Sequence, residues 1–320
     1  MKNLKELITS VLYDDDDNTL NDSVQAMQDL YVSHTGVSTN DLADIGVLLP
    51  SGLAISPLQA AVCLMDVPRT TAFLRGVHKA LLQLRKDAPG RSINVLYAGC
   101  GPYATLLTPF TAMFSSDEVA FYMLDISQPS LDSVRSLYSS LGASDHIKEY
   151  ICADASAYRL PEDVTMDLVI SETMQRALFQ EPQVAIMLNL IPQMANHAIF
   201  IPEEISVGLK LISRDEVEKV GLIGKYDPET VSLGALYTIG RQQCKPHEPC
   251  VKQIPAQPGK LNTLCYFTDI VVFADEQLHA YNCTLNSPVV IADITENAGK
   301  KICFQYDMSS APEFRYGWIG

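Results

Sequence analysis

Basic charge is scarce in this chain. Its 320 residues carry 23 Lys and Arg against 38 Asp and Glu, a formal net charge of −15. A nucleic-acid backbone or an anionic membrane surface would be repelled, so neither is expected as a partner, whereas a cationic ligand is compatible. Long apolar runs are also missing; none approaches the roughly 20 residues of a membrane span. The start, Met1-Lys2-Asn3-Leu4-Lys5-Glu6, lacks the apolar core and cleavage site of a secretory leader, and a cytoplasmic location is expected. The eight cysteines, several of them in apolar runs, read as reduced thiols rather than a disulfide framework. There is no internal repeat. What is present, 47% hydrophobic residues with 19% charged, suffices for a sizeable core and excludes wholesale disorder. The length suits one large domain or two of ordinary size.

Three zones follow one another. Residues 1–90 read as a helical cap: Leu4, Ile8, Val11 and Leu12 have helical spacing, as do Val24, Met27, Leu30 and Tyr31. Asp14 to Asp17 between them read as a solvated, self-repelling loop. A longer helix is expected from about Leu58 to Leu84. Residues 91–196 alternate strands and helices, with strands at Ile93–Ala98, Val119–Leu124, Glu149–Cys152 and Asp167–Ile170 and a helix at Ser130–Leu141. Such alternation predicts an α/β doubly wound parallel sheet, whose ligands bind beyond the carboxyl ends of the strands. Residues 197–320 read as a β-rich C-terminal domain interrupted by an insertion at about 213–260.

The polar residues fall at the strand ends. Gly99-Cys100-Gly101, between a strand and an expected helix, permits close backbone approach to a ligand. Gly99, Gly101 and Ala104 satisfy G-x-G-x-x-A, with Asp125 at a suitable distance, so an NAD-dependent oxidoreductase competes on these residues. The next acids favour another reading. Asp125 ends the second strand, where a carboxylate can accept both ribose hydroxyls. Asp154-Ala155 ends the third, at the place of an adenine edge, and Glu172 ends the fourth, beside the reactive centre. A Gly loop followed by acids at successive strand ends is the layout of a class I S-adenosyl-L-methionine methyltransferase. The leading 90 residues suit a helical cap over the methyl donor.

Met65-Asp66-Val67-Pro68-Arg69-Thr70 resembles the Asp-x-x-Arg-Thr element of the protein arginine methyltransferases. Ser171-Glu172-Thr173-Met174, with Glu181 nine residues after Glu172, resembles that family's double-glutamate loop. Ala198-Ile199-Phe200-Ile201-Pro202 resembles its entry into a barrel-like domain. The resemblance implies a Rossmann-like donor domain binding S-adenosyl-L-methionine, with S-adenosyl-L-homocysteine as product. It implies donor contacts from Arg69, Ala98, Gly99, Gly101, Asp125, Ile126, Asp154, Ala155 and Glu172, with Arg69 on the donor carboxylate. It also implies catalytic roles for Glu172 and Glu181, and a homodimer whose arm lies in the 213–260 insertion. Tyr103 stands where many methyltransferases have a third glycine, and Tyr97 where an acid often ends the first strand. The family's Thr-His-Trp loop is missing: His279 lies in Leu278-His279-Ala280, and the sole tryptophan, Trp318, has no neighbouring histidine.

The chemistry of paired glutamates fits a cationic acceptor. A guanidinium is planar, stays protonated at neutral pH and offers five N–H donors. Two carboxylates can hold it by charge-assisted hydrogen bonds and leave one nitrogen facing the methyl group. The missing histidine loop favours a small guanidino compound, such as free arginine or a natural-product precursor, over a protein arginine. The alternatives are a protein arginine methyltransferase, an N- or O-methyltransferase of another metabolite, and a catalytically silent binding module. Cys244, His247 and Cys250 lie close in sequence, but zinc sites usually need a fourth ligand and no metal is expected.

Overall fold

The computed structural model describes residues 3–38, 46–218 and 228–319. The cap begins with α1 (Leu4–Tyr13), started by an Asn3/Glu6 capping box and burying Leu7, Ile8, Val11 and Leu12. The acidic run then has a local use. The Asp16 carboxylate accepts the Thr19 N–H at 2.8 Å and caps α2 (Asp17–Thr35). Arg75 ties the run down by donating Nε–H to the Val11 carbonyl at 3.0 Å and pairing with Asp15 at 3.1 Å. A short hairpin, β1 (Val47–Leu49) and β2 (Gly52–Ala54), follows.

The single helix expected over 58–84 is two. α3 (Pro57–Val62) passes through a 3₁₀ turn at Cys63–Met65, and α4 (Val67–Asp87) starts anew after Asp66. Pro68 lacks an N–H and restricts the residues before it, so it suits a helix start and not a helix interior. The break delivers Asp66 and Arg69 to the first turn of α4 rather than to the flank of a continuous rod.

The parallel sheet contains β3 (Ile93–Ala98), β4 (Val119–Asp125), β5 (Ile147–Cys152), β6 (Leu168–Ser171) and β7 (Ile199–Ile201). Its order is β5-β4-β3-β6-β7, with every pairing parallel. The apolar runs that identified these strands are explained by burial: all seven residues of β4 are buried. α5 (Gln128–Ser140) and α6 (Gln183–Leu190) are among its connections. From β3 the chain runs outward through β4 to β5, then crosses back to β6 on the other side of β3. The switch point lies where Gly99 and Glu172 follow their strands.

One expectation fails here. No α-helix follows the Gly loop; turns lead instead to a 3₁₀ helix at Thr108–Ala112. Gly99, Gly101 and Ala104 have φ of 75°, 63° and 44°, and Pro102 and Pro109 remove donors, so helical hydrogen bonding cannot start. Tyr103 uses the room: its hydroxyl donates to the Val37 carbonyl at 2.6 Å and fastens the segment after α2 over the loop.

The remainder is antiparallel. β8 (Glu204–Ile212), β9 (Val231–Gly240), β11 (Thr263–Phe273), β12 (Glu276–Leu278) and β13 (Val289–Asp293) form one sheet, and β10 (Cys250–Gln253), β14 (Lys301–Asp307) and β15 (Glu313–Ile319) another. Tyr266 of the first sheet lies 6.1 Å from Phe304 and 5.3 Å from Phe314 of the second, ring centre to ring centre. The segment 213–260, read as an insertion, contains two regular strands: β9 pairs with β8 over most of its length, and β10 pairs with β14. Within it, residues 219–227 lie outside the described residues. No helix among the described residues is long and apolar enough to cross a membrane.

Asp167 fixes the register where β3 and β6 begin. Fully buried, it accepts two bonds from Arg91, at 2.8 and 2.7 Å, and one from the Asn94 N–H at 2.9 Å. Burial pushes its carboxyl up, but Arg91 and the Asn94 amide outweigh this and hold it below the ordinary value. A carboxyl depressed in the folded state stabilises above its unfolded pKa of about 3.9, and that contribution is lost as pH falls through the lower folded value. Asp167→Asn should therefore lower stability by about 1.5–3 kcal/mol at pH 7. The gap should narrow as pH falls through the depressed folded value, as read by urea unfolding at several acidic pH values.

Candidate active site

A cavity of about 530 Å³ opens at the carboxyl ends of β3, β4 and β6. Its volume suits a small-molecule ligand, and its place is the switch point of an open α/β sheet. Arg69, Gly99, Gly101, Asp125, Ile126, Asp154, Ala155, Glu172 and Glu181 all stand on its wall. Ala98, expected beside the donor, does not. It is fully buried in the last pairing of β3 with β4 and β6, one residue behind the wall.

The Gly loop is built around Asp125. One carboxylate oxygen accepts the Gly101 N–H at 2.8 Å and the other the Ser127 N–H at 2.8 Å. Burial raises the Asp125 carboxyl, against the pull of these amides. The Gly101 amide is thus already satisfied by a carboxylate, and no α-helix N-terminus stands behind it. A phosphate-bearing ligand would meet an anion where it needs donors. A nucleoside without phosphate meets an acceptor for its hydroxyls. Gly99 has a further role, because a β-carbon there would stand 2.4 Å from Cγ2 of Thr173. Its smallness brings the loop against the residue after Glu172. Asp154 accepts from the Ser156 N–H at 2.8 Å and hydroxyl at 2.7 Å, so its place at the end of β5 is fixed by a local turn.

Arg69 and Glu172, assigned to donor and acceptor, contact each other. An Nη2–H of Arg69 donates to Oε2 of Glu172, and both side chains are about nine-tenths buried. Burial works against the Arg69 charge, but Glu172 more than restores it and holds the guanidinium above its ordinary pKa. Burial pushes the Glu172 carboxyl up against the pull of Arg69. Contact with a guanidinium that does not lose its proton favours the ionised carboxylate. Its second oxygen, Oε1, is buried with no hydrogen-bond partner among the described residues. Glu181 is buried too. Burial and then the Glu172 charge push its carboxyl up to about 7, against Arg69 and a hydrogen bond with Gln175. Arg69, Glu172 and Glu181 therefore lie together on a wall that Asp125, Asp154 and Arg176 also line.

The loop that carries both glutamates is held at both ends and along its length. Gln183, fully buried at the start of α6, accepts the Thr173 N–H at 2.9 Å and donates to the Ser171 carbonyl at 3.1 Å. Between these ends Ala177, Leu178 and Gln180 have φ of 57°, 57° and 62°. Three left-handed non-glycine residues are unfavourable and persist only where surroundings over-determine them. The surroundings do: Ala177 N–H donates to the Thr268 hydroxyl at 2.8 Å, Tyr306 hydroxyl to the Leu178 carbonyl at 2.6 Å, and Gln180 N–H to the Pro312 carbonyl at 2.8 Å. From the cap, Leu53 N–H donates to the Gln180 carbonyl at 2.7 Å. Cap and C-terminal sheets thus grip the loop from both sides.

Sequence reasoning missed several wall residues. Leu49 and Leu53 come from the β1–β2 hairpin, Cys63 from the 3₁₀ turn, and Thr284, Leu285 and Ser287 from the C-terminal domain. Thr284 is the informative one. Its N–H donates to Oδ2 of Asp66 at 3.0 Å and its hydroxyl to the same oxygen, so a C-terminal turn fixes the residue that starts α4. A Thr-His-Trp pattern does not capture it, since Cys283-Thr284-Leu285 shares only the threonine. His279 lies off the wall, against Asp269 at 3.1 Å, and Trp318 belongs to β15. Cys244, His247 and Cys250 have separate engagements. Cys244 Sγ donates to the Met187 carbonyl, His247 Nδ1 accepts the Tyr306 N–H at 3.1 Å, and Cys250 begins β10. No group of metal-ligating side chains is found among the described residues.

No family model matches this chain, and no curated protein does. Among solved structures, it is similar to a chain of the Trypanosoma brucei PRMT1 enzyme–prozyme heterotetrameric complex with AdoHcy. Identity is 14% and the TM-score 0.48, over 75% of this chain and 84% of that one.

Proposed function

We propose that the protein is an S-adenosyl-L-methionine-dependent N-methyltransferase acting on a guanidino group of a small molecule. The observation that carries this reading is the pair of buried carboxylates, Glu172 and Glu181, on the wall of a cavity that also holds the Gly loop and strand-end acids. The fit to the donor rests on this chain's own residues. Asp125 offers remaining lone pairs to ribose hydroxyls, Asp154, Ala155 and Ile126 border the adenine position, and Gly99 and Gly101 let the ligand lie close to the backbone. Arg69 is the cation suited to an amino-acid carboxylate. When bound, the donor supplies an electrophilic methyl group on a sulfonium.

The residues control the acceptor's position and charge. Oε1 of Glu172 and the Glu181 carboxylate accept guanidinium N–H bonds in a buried, water-poor wall, where charge-assisted bonds are strong. Arg69 is the internal competitor for Glu172. A donor carboxylate drawing on Arg69 would release Glu172 toward the acceptor. The occupied Gly101 amide disfavours the rival dinucleotide reading. Calorimetric titration tests the donor assignment: S-adenosylhomocysteine should bind and NAD should not, and the reverse order would overturn it.

A pH dependence follows from Glu181. Its carboxyl titrates near 7, and only the ionised form strengthens the grip on a guanidinium. The rate kcat/KM should rise as pH increases through about 7 with a slope of one, and Glu181→Gln should remove that limb. A profile of the Glu181→Gln chain with the limb intact would assign the titration elsewhere.

A further inference from the structure

Among the described residues, two cations line the cavity, Arg69 and Arg176. Arg69 is engaged by Glu172. Arg176 is exposed, and its side chain forms no ion pair or hydrogen bond among the described residues. It shares the wall with four acids, Asp125, Asp154, Glu172 and Glu181, so carboxyl groups outnumber cations there four to two. A cationic ligand needs no second cation in such a cavity; an arginine there repels it unless the ligand also carries an anion.

The position of Arg176 is built rather than incidental. It directly precedes Ala177, whose left-handed backbone is held by Thr268 at 2.8 Å, and the next carbonyl is held by Tyr306 at 2.6 Å. Arg176 follows Glu172 by four residues on the same loop, so their Cα atoms are at most about 14 Å apart. Both ends of a short ligand can reach them together. The guanidinium fork matches a carboxylate with two parallel N–H bonds.

We infer that the acceptor is a small zwitterion, an ω-guanidino carboxylic acid such as free arginine, with Glu172 and Glu181 on its guanidino end and Arg176 on its carboxylate. This rests on the guanidino reading above and adds the anionic end. A protein arginine has no free carboxylate at that distance, and a decarboxylated amine keeps the ammonium but lacks the carboxylate that would offset it beside Arg176.

The test uses the full chain with S-adenosylmethionine and four acceptors: arginine, its decarboxylated amine, its carboxamide and an arginine-containing peptide. Loss of one charge-assisted pair should raise KM by roughly 10- to 100-fold for the amine and carboxamide relative to arginine. Arg176→Gln should raise the arginine KM by a similar factor with kcat little changed, and the two chains should converge on the amine. Arg176→Lys should restore part of the arginine preference, and S-adenosylhomocysteine should bind Arg176→Gln as it binds the unaltered chain. Equal KM for arginine and its amine, or preference for the peptide, would overturn the carboxylate assignment while leaving guanidino methylation standing. Weaker donor binding by Arg176→Gln would overturn it by giving Arg176 to the donor. Methylation of none of the four, with S-adenosylhomocysteine still bound, would overturn both readings.

Discussion

Glu172→Gln should lower kcat by roughly 10²- to 10³-fold, the scale of removing one buried electrostatic contact to a reacting group. Donor affinity should be kept or increased. The two effects separate because Glu172 is bonded to Arg69. A glutamine keeps the shape and one acceptor oxygen but gives up the charge that opposes Arg69. The guanidinium is then freer for an anionic group of the donor, while the acceptor loses its charged partner at Oε1. Arg69→Ala should do the opposite to binding. It leaves a buried carboxylate without its cation and weakens donor affinity by about 1.5–3 kcal/mol. Stopped turnover measured beside calorimetry with S-adenosylhomocysteine distinguishes the pattern. Glu172→Gln with near-native kcat, or with donor binding lost in parallel, would remove Glu172 from the acceptor side.

Gly52→Ala should reduce turnover by about 10²-fold through a single added methyl group in the cap, the loss expected from a displacement of order 1 Å at the reacting groups. Gly52 has φ of 141°, a backbone conformation closed to other residues. A β-carbon there would stand 2.7 Å from the Gln180 carbonyl oxygen, 2.9 Å from the Glu181 carbonyl carbon and 2.9 Å from the Pro182 nitrogen. All three obstacles are backbone, so trimming a neighbouring side chain cannot relieve them. The loop is anchored on its other side by Thr268, Tyr306 and Pro312. It must therefore yield at Glu181 or lose the Leu53 bond. Donor binding, proposed to rest on Asp125 and the Gly loop, should change much less. Gly99→Ala is the contrasting case: its β-carbon meets the Cγ2 of Thr173 at 2.4 Å, which Thr173→Ser would remove. Full turnover by Gly52→Ala would mean that the hairpin does not position Glu181.

Much of the parallel sheet was legible because it rests on local rules. Strands β3, β4 and β6 are apolar runs ended by Gly or acid, β5 is a more polar edge strand two residues before Asp154, and the all-parallel pairing puts these ends at a common edge. The spacing of Glu172 and Glu181 needed only a loop closed on itself, which Gln183 provides. What the sequence hid lies in long-range contacts. Thr284 reaches Asp66 across 218 positions, a pairing no spacing rule encodes. The helix after the Gly loop was expected from strand–helix alternation, and left-handed Ala104 with two nearby prolines overrode it. β9 and β10 looked like an insertion because Pro, Gly and charge surround them, yet their backbones complete two sheets. The Arg69–Glu172 contact was hidden as well. Each residue was identified separately, and only the break at Asp66 brings the start of α4 to the end of β6.

Transfer of a labelled methyl group is the most direct test of the central claim. The purified chain, incubated with methyl-labelled S-adenosylmethionine and arginine, should yield labelled N-methylated arginine and S-adenosylhomocysteine in equal amounts. The Glu172→Gln and Glu181→Gln chains should yield little of either. Label transferred at the same rate by those two chains would contradict the account, as would its absence from guanidino nitrogen in a chain that binds S-adenosylhomocysteine.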